Sequence, residues 1–320
     1  LSDPSARRLH TLADDVRKGF AAKPYRLPPR IFYDEQGSRL FEEITGLPEY
    51  YLTRSEREIF ERHGSQIVEQ AGCDLSVLEL GVGSATKTML LLAPLARRQK
   101  HLLFCAADVS ATALRAARSA IETALPPVEV LAIEGQYSDA LGIFRGIEGP
   151  KLVLFIGSSI GNCDPDEAID LLEQIRSALS PGDALLLGTD LVKDPALLVA
   201  AYDDSRGVTA AFNRNALAHI NRELGGSFET ERFRHVAVWN EAASRIEIYL
   251  ESECEQRAWI SAVEMDVRFL RGDRIHTENC HKFSDAMVDG LFAATGFRRE
   301  ATWTDSRGWF AEHLARVLPG

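Results

Sequence analysis

The sequence is poor in the features that mark several large protein classes. No apolar run approaches the roughly 20 residues that a membrane-crossing helix needs, and Leu1 to Phe20 alternates charged with apolar residues and has no signal-peptide core. Cysteine is scarce: Cys73, Cys105, Cys163, Cys254 and Cys280 are all there is in 320 residues, and no two form a C-x-x-C pair. An odd, scattered set gives neither a disulfide framework nor a zinc signature, so a reducing, cytoplasmic setting is expected. Positive charge is in deficit, with 36 Lys and Arg against 47 Asp and Glu and a net charge of −11. Such a chain repels a phosphate backbone and an anionic bilayer, which removes nucleic acid and membrane from the expected partners. No internal repeat or low-complexity tract occurs. What remains is a chain with 45% hydrophobic residues, long enough for one large core or two modest ones.

Residues 5–22 carry helical spacing, with Leu9, Leu12, Val16 and Phe20 on one face. A basic, proline-containing connector, Lys23 to Arg30, leads to an aromatic segment, Ile31-Phe32-Tyr33-Asp34. Thr53 to Gln70 reads as a helix capped by Thr53 or Ser55. Short apolar runs at 76–80, 102–107, 128–133, 152–156 and 184–188 then alternate with helical stretches. That pattern predicts an α/β fold with a parallel sheet. From about 196 the texture changes. One long helical stretch, 196–224, precedes strand-like alternations at 234–240, 245–252 and 258–269, which read as an antiparallel meander and a second domain. The tail reads as a helix, a strand near 297–304 and a last strand near 309–317, a hairpin able to complete the first sheet.

The first chemical signal is Val77-Leu78-Glu79-Leu80-Gly81-Val82-Gly83-Ser84, a strand running into a Gly-x-Gly turn, with a helix predicted from Thr86 up to Pro94. Glycines there let backbone approach a ligand. Thr86 stands where a dinucleotide fingerprint wants its third glycine, which argues against a nicotinamide oxidoreductase. Asp108, at the end of the second strand, is placed to hold ribose hydroxyls. Strand, glycine turn, helix and acid together resemble the nucleoside-methionine site of class I methyltransferases; taken alone, the motif is as well explained by a tight turn with a chance acid. Lys87, in the predicted first helical turn, opposes the helix dipole, and a ligand carboxylate would relieve that. Taken alone, a solvated surface lysine explains it better. Asn162 follows the fourth strand, where open α/β sheets bind ligands, though it could equally cap a helix. Tyr50 and Tyr202 lie in segments that pair aromatic bodies with polar groups. His276, Glu278 and His281 invite a metal reading, but in an extended segment His281 points away from the other two, and no metal is expected.

These segments resemble the histidine Nα-methyltransferases of ergothioneine biosynthesis. The resemblance rests on FYDEQGSRLFEEITGLPEYYLTRSE (32–56), LELGVGSATKT (78–88), FIGSSIGNCDP (155–165), LLLGTDLVKD (185–194), AYDDSRGVTAAFNRN (201–215), NRELG (221–225) and HTENCHKF (276–283), spread over most of the chain. It implies a Rossmann-like methyltransferase domain, 57–195 with 283–320, and an α+β substrate domain, 1–56 with 196–282, that closes over the amino acid. It also implies that a monomer binds S-adenosylmethionine through Gly81, Gly83, Lys87 and Asp108, with Gln136 and Tyr137 near the adenine. Asn162, Tyr202 and Tyr50 match residues that grip the carboxylate and amine, and Tyr33 and Glu278 match residues at the imidazole. Cys280, Ile248 and Gln136 stand where the family usually has a serine, a methionine and an acid. The expected reaction is attack of a neutral amine on the sulfonium methyl, promoted mainly by alignment. The alternatives are an indole amino acid as substrate, as in related enzymes, or a non-catalytic S-adenosylmethionine-binding protein.

Overall fold

The computed structural model describes residues 11–319. Helix α1 (Leu12–Phe20) starts where Thr11 caps it: the Thr11 hydroxyl accepts from the Asp14 N–H, and Asp14 accepts from the Thr11 N–H. Leu9, assigned to this helix from its spacing, lies outside the described residues. The connector after it holds a two-residue strand, β1 (Tyr25–Arg26), and a 3-10 turn over Pro29–Phe32. Asp34 caps α2 (Glu35–Thr45), its Oδ1 accepting from the Gly37 N–H at 2.7 Å. Helix α3 (Leu52–Ala71) begins earlier than the Thr53 and Ser55 caps predicted, with Tyr51 at its N-cap and no side-chain cap.

The apolar runs form the strands expected of them. In chain order come β2 (Ser76–Leu80), α4 (Met89–Arg98), β3 (Leu102–Asp108), α5 (Ala111–Ala124), β4 (Val128–Glu134), α6 (Tyr137–Arg145), β5 (Lys151–Phe155), α7 (Pro165–Ser177) and β6 (Ala184–Asp190). The strands lie in the order β6-β5-β2-β3-β4, all parallel. Strands β5 and β6 are buried at every position, on both faces, which is why they read as continuous apolar runs, whereas the edge strand β4 leaves Glu129, Leu131, Ala132 and Glu134 exposed. Leu78, Leu80, Val153, Phe155, Leu185 and Leu187 pack with Leu172 and Ile175 of α7 in one core. The order reverses beside β2, and ligands bind beyond the carboxyl ends of strands at such a switch. Helix α4 departs from the prediction: it starts at Met89 and runs through Pro94. The carbonyl that Pro94 cannot serve, that of Leu90, is approached by α3 at Gly64, where an added Cβ would stand 3.0 Å away.

The predicted long helix at 196–224 is two, α8 (Pro195–Tyr202) and α9 (Val208–Leu224). Asp204 makes the break. Its carboxylate accepts from the N–H groups of Arg206, Val208 and Thr209 at 3.0, 3.0 and 2.7 Å, and Gly207 turns left-handed at φ +73°. Strands β7 (Phe233–Asn240), β8 (Arg245–Ser252), β9 (Gln256–Ile260), β10 (Met265–Phe269) and β11 (Arg274–His281) follow. They do not make the predicted three-strand meander. Strands β9 and β10 pair as a separate hairpin, while β7 and β8 join β11 and β1 in a sheet of order β1-β11-β8-β7. The 3-10 turn over Ser261–Val263 and the left-handed Glu264 split the predicted 258–269 strand. The rings of Phe20, Tyr25, Phe228, Phe233 and Phe269 pack together with centroids 5.1–6.4 Å apart, edge to face in every pair but the tilted Phe20–Phe228. Helix α10 (Asp285–Ala294) and strands β12 (Phe297–Thr304) and β13 (Phe310–Val317) complete the parallel sheet as predicted, β13 lying antiparallel between β6 and β12.

The chain forms two compact units. The mixed-sheet unit takes the described residues up to Tyr50, Pro195–Glu241 and Arg245–Asn279. The parallel-sheet unit takes Tyr51–Asp194, Ala242–Ser244 and the described residues from Cys280. No helix among the described residues is long and apolar enough to cross a membrane.

Candidate active site

Past β2 the chain turns on glycines locked against β3. The Gly81 and Val82 N–H groups both donate to the Ala107 carbonyl, at 2.9 and 3.0 Å. Gly81 and Gly83 are left-handed, at φ +81° and +51°. A Cβ on Gly81 would stand 3.3 Å from the Tyr137 hydroxyl, so glycine keeps the turn open beside that ring. Asp108 ties the turn down, accepting from the Gly83 N–H at 3.1 Å and the Ser110 N–H at 2.9 Å. A carboxylate offers about four acceptor positions, so these two contacts leave room for a pair of hydroxyls. Tyr137 packs edge-on against Phe155 at 5.6 Å, and burial first, then Asp108, raises its pKa so that it stays a phenol. Gln136 is the exposed N-cap of α6, its N–H donating to Asp139 at 3.0 Å. The structure thus gathers Gly81, Gly83, Asp108 and Tyr137, with Gln136 next in the chain.

Lys87 precedes α4 instead of lying in its first turn, and its charge is met within the chain. Its ammonium donates to Glu56 of α3, whose other oxygen accepts from the Gly157 N–H. Burial alone would lower the Lys87 pKa, but Glu56 and the neighbouring Glu312 and Glu79 raise it, so the lysine is cationic. Glu56 carries no motif of its own, and sequence reasoning passed over it.

After β5 the backbone turns left-handed at Gly157 and Ser158 and makes a 3-10 turn over Ser159–Asn162. Asp164 caps α7, so Asn162 is not spent on that role. The buried Cys280 thiol donates to Asn162 Oδ1 at 3.8 Å.

In the mixed-sheet unit the tyrosines form a row. Tyr33 packs on Phe41 with centroids 5.7 Å apart, Phe41 on Tyr50 at 6.3 Å, and Tyr50 on Tyr202 at 6.1 Å. Phe212 of α9 backs the row, 5.6 Å from Tyr33 and 6.0 Å from Phe41. Phe41 and Phe212 were missed in the sequence because a core phenylalanine there looks the same. The Tyr202 carbonyl is fixed by His235 of β7, which donates from Nε2 at 2.7 Å and so accepts at Nδ1 from Asn213, 2.9 Å away. Burial lowers the His235 pKa and keeps the ring neutral. Ile248 is buried on β8 and Glu278 half-buried on the adjoining β11; the Thr277 hydroxyl donates to the Ile248 carbonyl at 3.1 Å. His276 Nε2 meets Asn279 Oδ1 at 2.8 Å, while burial along β11 alternates from Ile275 to Asn279. Among the described residues no group of three or more His, Cys, Asp or Glu is suited to hold a metal ion.

A doubly wound sheet with a glycine turn after its first strand, a carboxylate at the end of its second and an aromatic ring opening the helix after the third defines an S-adenosylmethionine-dependent methyltransferase. The model of one family, the histidine-specific, S-adenosylmethionine-dependent methyltransferases, matches residues 12–317, and the chain belongs to it. It is 44% identical to a histidine N-alpha-methyltransferase of Mycolicibacterium smegmatis, covering 95% of this chain and 94% of that one. Identity to the Mycobacterium tuberculosis protein of that name is also 44%, over the same shares. A 4-dimethylallyltryptophan N-methyltransferase of Claviceps purpurea is 23% identical over 92% of each chain.

Proposed function

We propose that this methyltransferase methylates the α-amine of free L-histidine, in three successive transfers that give the betaine hercynine of ergothioneine biosynthesis, in the cytoplasm. The observation that carries the reading is the row Tyr33, Phe41, Tyr50 and Tyr202, aromatic bodies of which the three tyrosines bear hydroxyls, which suits a small aromatic zwitterion. S-adenosylmethionine supplies an electrophilic methyl group on sulfur. Gly81, Gly83, Lys87, Asp108, Gln136 and Tyr137 hold it: Asp108 takes the ribose hydroxyls on its remaining acceptor positions, Lys87 the carboxylate, and Tyr137 with Gln136 the adenine. Asn162, Tyr50 and Tyr202 hold the backbone end of the amino acid and keep its neutral amine in line with the methyl carbon. Glu278 accepts the imidazole N–H, while Tyr33 and Ile248 bound the ring. Cys280 steadies Asn162: a thiol donating to Oδ1 leaves the amide nitrogen to donate elsewhere.

Mass spectrometry of reactions with S-adenosylmethionine and each proteinogenic amino acid tests this. Histidine is expected to gain three methyl groups; no methylated histidine overturns the assignment. A second reading, another aromatic amino acid such as tryptophan, is favoured by Cys280 itself, a weaker donor and acceptor than the serine usual at that position in the family. Methylated tryptophan in the same assay would decide for it.

A further inference from the structure

Behind the glycine turn, three carboxyl groups and one ammonium share a buried space. Glu56 comes from α3, Glu79 from β2, Glu312 from β13 and Lys87 from the segment before α4; the glutamates are 0%, 2% and 0% exposed, in chain order for 56, 79 and 312. Glu56 takes the Lys87 ammonium and the Gly157 N–H. Glu79 takes the Thr88 hydroxyl at 2.7 and 2.9 Å. Glu312 differs: neither of its oxygens accepts from a donor among the described residues, and the group within bonding reach is the Glu56 carboxylate. It lies across the sheet from Gly188, where an added Cβ would stand 2.7 Å from Glu312 Oε1 and 3.0 Å from Glu56 Oε1. The two carboxyl groups converge over a glycine that leaves them room.

One lysine balances one of these acids. With Glu56 ionised and paired, a second buried carboxylate beside it has no counter-charge, and neutralising it by protonation is the cheaper state. Burial first, then Glu56, raises the Glu312 pKa well above the carboxylate range, and burial brings Glu79 to about 8. The other charged neighbours do not alter the count. Asp108 raises Glu79 further. Asp190, two residues beyond Gly188 on β6, is held by Lys193 and Lys282. The β12 residue opposite Glu312 is the uncharged Trp303, and the next residue of β13, His313, is bonded to Thr189 and Thr302.

We propose that Glu56 is a positioning residue for Lys87, and that Glu312, kept protonated beside Glu56, sets how much positive charge Lys87 presents to the cofactor's carboxylate. This rests on the reading of Lys87 as the residue that holds that carboxylate. A protonated Glu312 can donate to Glu56 and draw its charge away from Lys87. An ionised Glu312 adds negative charge to the cluster and weakens the attraction. Affinity for a ligand with the amino-acid end therefore falls as pH rises, and a ligand without that end is unaffected.

Calorimetry with S-adenosylhomocysteine and with methylthioadenosine, which lacks the carboxylate, tests this at pH 7 and pH 9. The ligand's own ammonium titrates with every protein variant, so a difference between wild type and Glu312→Gln belongs to Glu312. Wild type is expected to lose on the order of tenfold more affinity for S-adenosylhomocysteine than Glu312→Gln, with methylthioadenosine profiles that coincide. Coincident S-adenosylhomocysteine profiles overturn the role of Glu312. Should that variant fail to fold, Glu312→Leu, also without a titrating group, is read the same way. Glu56→Gln is expected to weaken S-adenosylhomocysteine alone; equal loss of both ligands makes Glu56 merely structural and overturns its role. Lys87→Met that binds S-adenosylhomocysteine like wild type refutes instead the reading on which the proposal rests.

Discussion

The two units assemble their candidate site residues in different ways. In the parallel-sheet unit the glycine turn and Asp108 are tied together by main-chain N–H groups, all within one strand-turn-helix-strand stretch. In the mixed-sheet unit the tyrosine row draws on side chains from before α2 to the end of α8, backed by α9 and β7. A backbone site is fixed by local sequence and tolerates little. A side-chain site built from distant segments can be retuned one residue at a time. The difference teaches where to look for cofactor binding and where for substrate choice.

Asp108→Ala strikes the backbone-built side hardest. Loss of charge-assisted bonds should cost about 1.5–3 kcal/mol of S-adenosylhomocysteine affinity, measured by calorimetry; unchanged affinity would break the contrast outright. Glu278→Ala is the counterpart on the other side. Histidine kcat/KM should fall roughly tenfold to a hundredfold, cofactor affinity should hold, and tryptophan turnover should gain relative to histidine. Full retention of histidine preference removes Glu278 as the ring reader.

Acid stability sharpens the contrast, since each unit holds a group with its own pH window. Burial lowers His313, bonded to Thr189 and Thr302, to about 4 from an ordinary 6.5. Its unfolded form takes a proton first, so stability present above pH 6.5 is lost as pH falls toward 4. Burial would raise Glu247, but donors from Tyr249, Asn240 and Arg245 outweigh it and hold the carboxyl at about 2 against an ordinary 4.5. Its contribution is present above pH 4.5 and lost toward pH 2. His313→Gln should flatten the unfolding free energy in the upper window and Glu247→Gln in the lower, each by on the order of 2 kcal/mol. Denaturant titrations across both windows check this; identical slopes in wild type and variants would refute it. The smallest effect belongs to Cys280→Ser. A hydroxyl is a better donor to Asn162 Oδ1 than a thiol, and a gain of about 0.5–1 kcal/mol should lower the histidine KM severalfold at most. A raised KM would show that the thiol's size matters more than its hydrogen bond.

Much of the parallel sheet was legible because a strand buried on both faces announces itself as an unbroken apolar run, as Ala184–Leu187 does. The glycine turn and Asp108 were legible because their spacing is local. The break between α8 and α9 was hidden, since Asp204 acts through its side chain on N–H groups of the next turn and composition does not reveal that. The separation of β9 and β10 from the second sheet was hidden too: alternation marks a strand without saying which neighbour it takes. Glu56 and Glu312 lie 256 positions apart in a sequence rich in surface acids, and only the fold shows that both face Lys87.

The place of β13 bears on how the chain is made. It is inserted between β6 and β12, pairing with β6 from Phe310 opposite Asp190 to Arg316 opposite Ala184. During synthesis β6 is complete more than a hundred residues before that partner exists. Throughout that interval one edge of an apolar strand shows unpaired main-chain donors and acceptors, the kind of edge on which nascent chains aggregate. The sheet thus emerges from the ribosome with a seam still open, and the speed of translation between β6 and β13 governs how long it stays so.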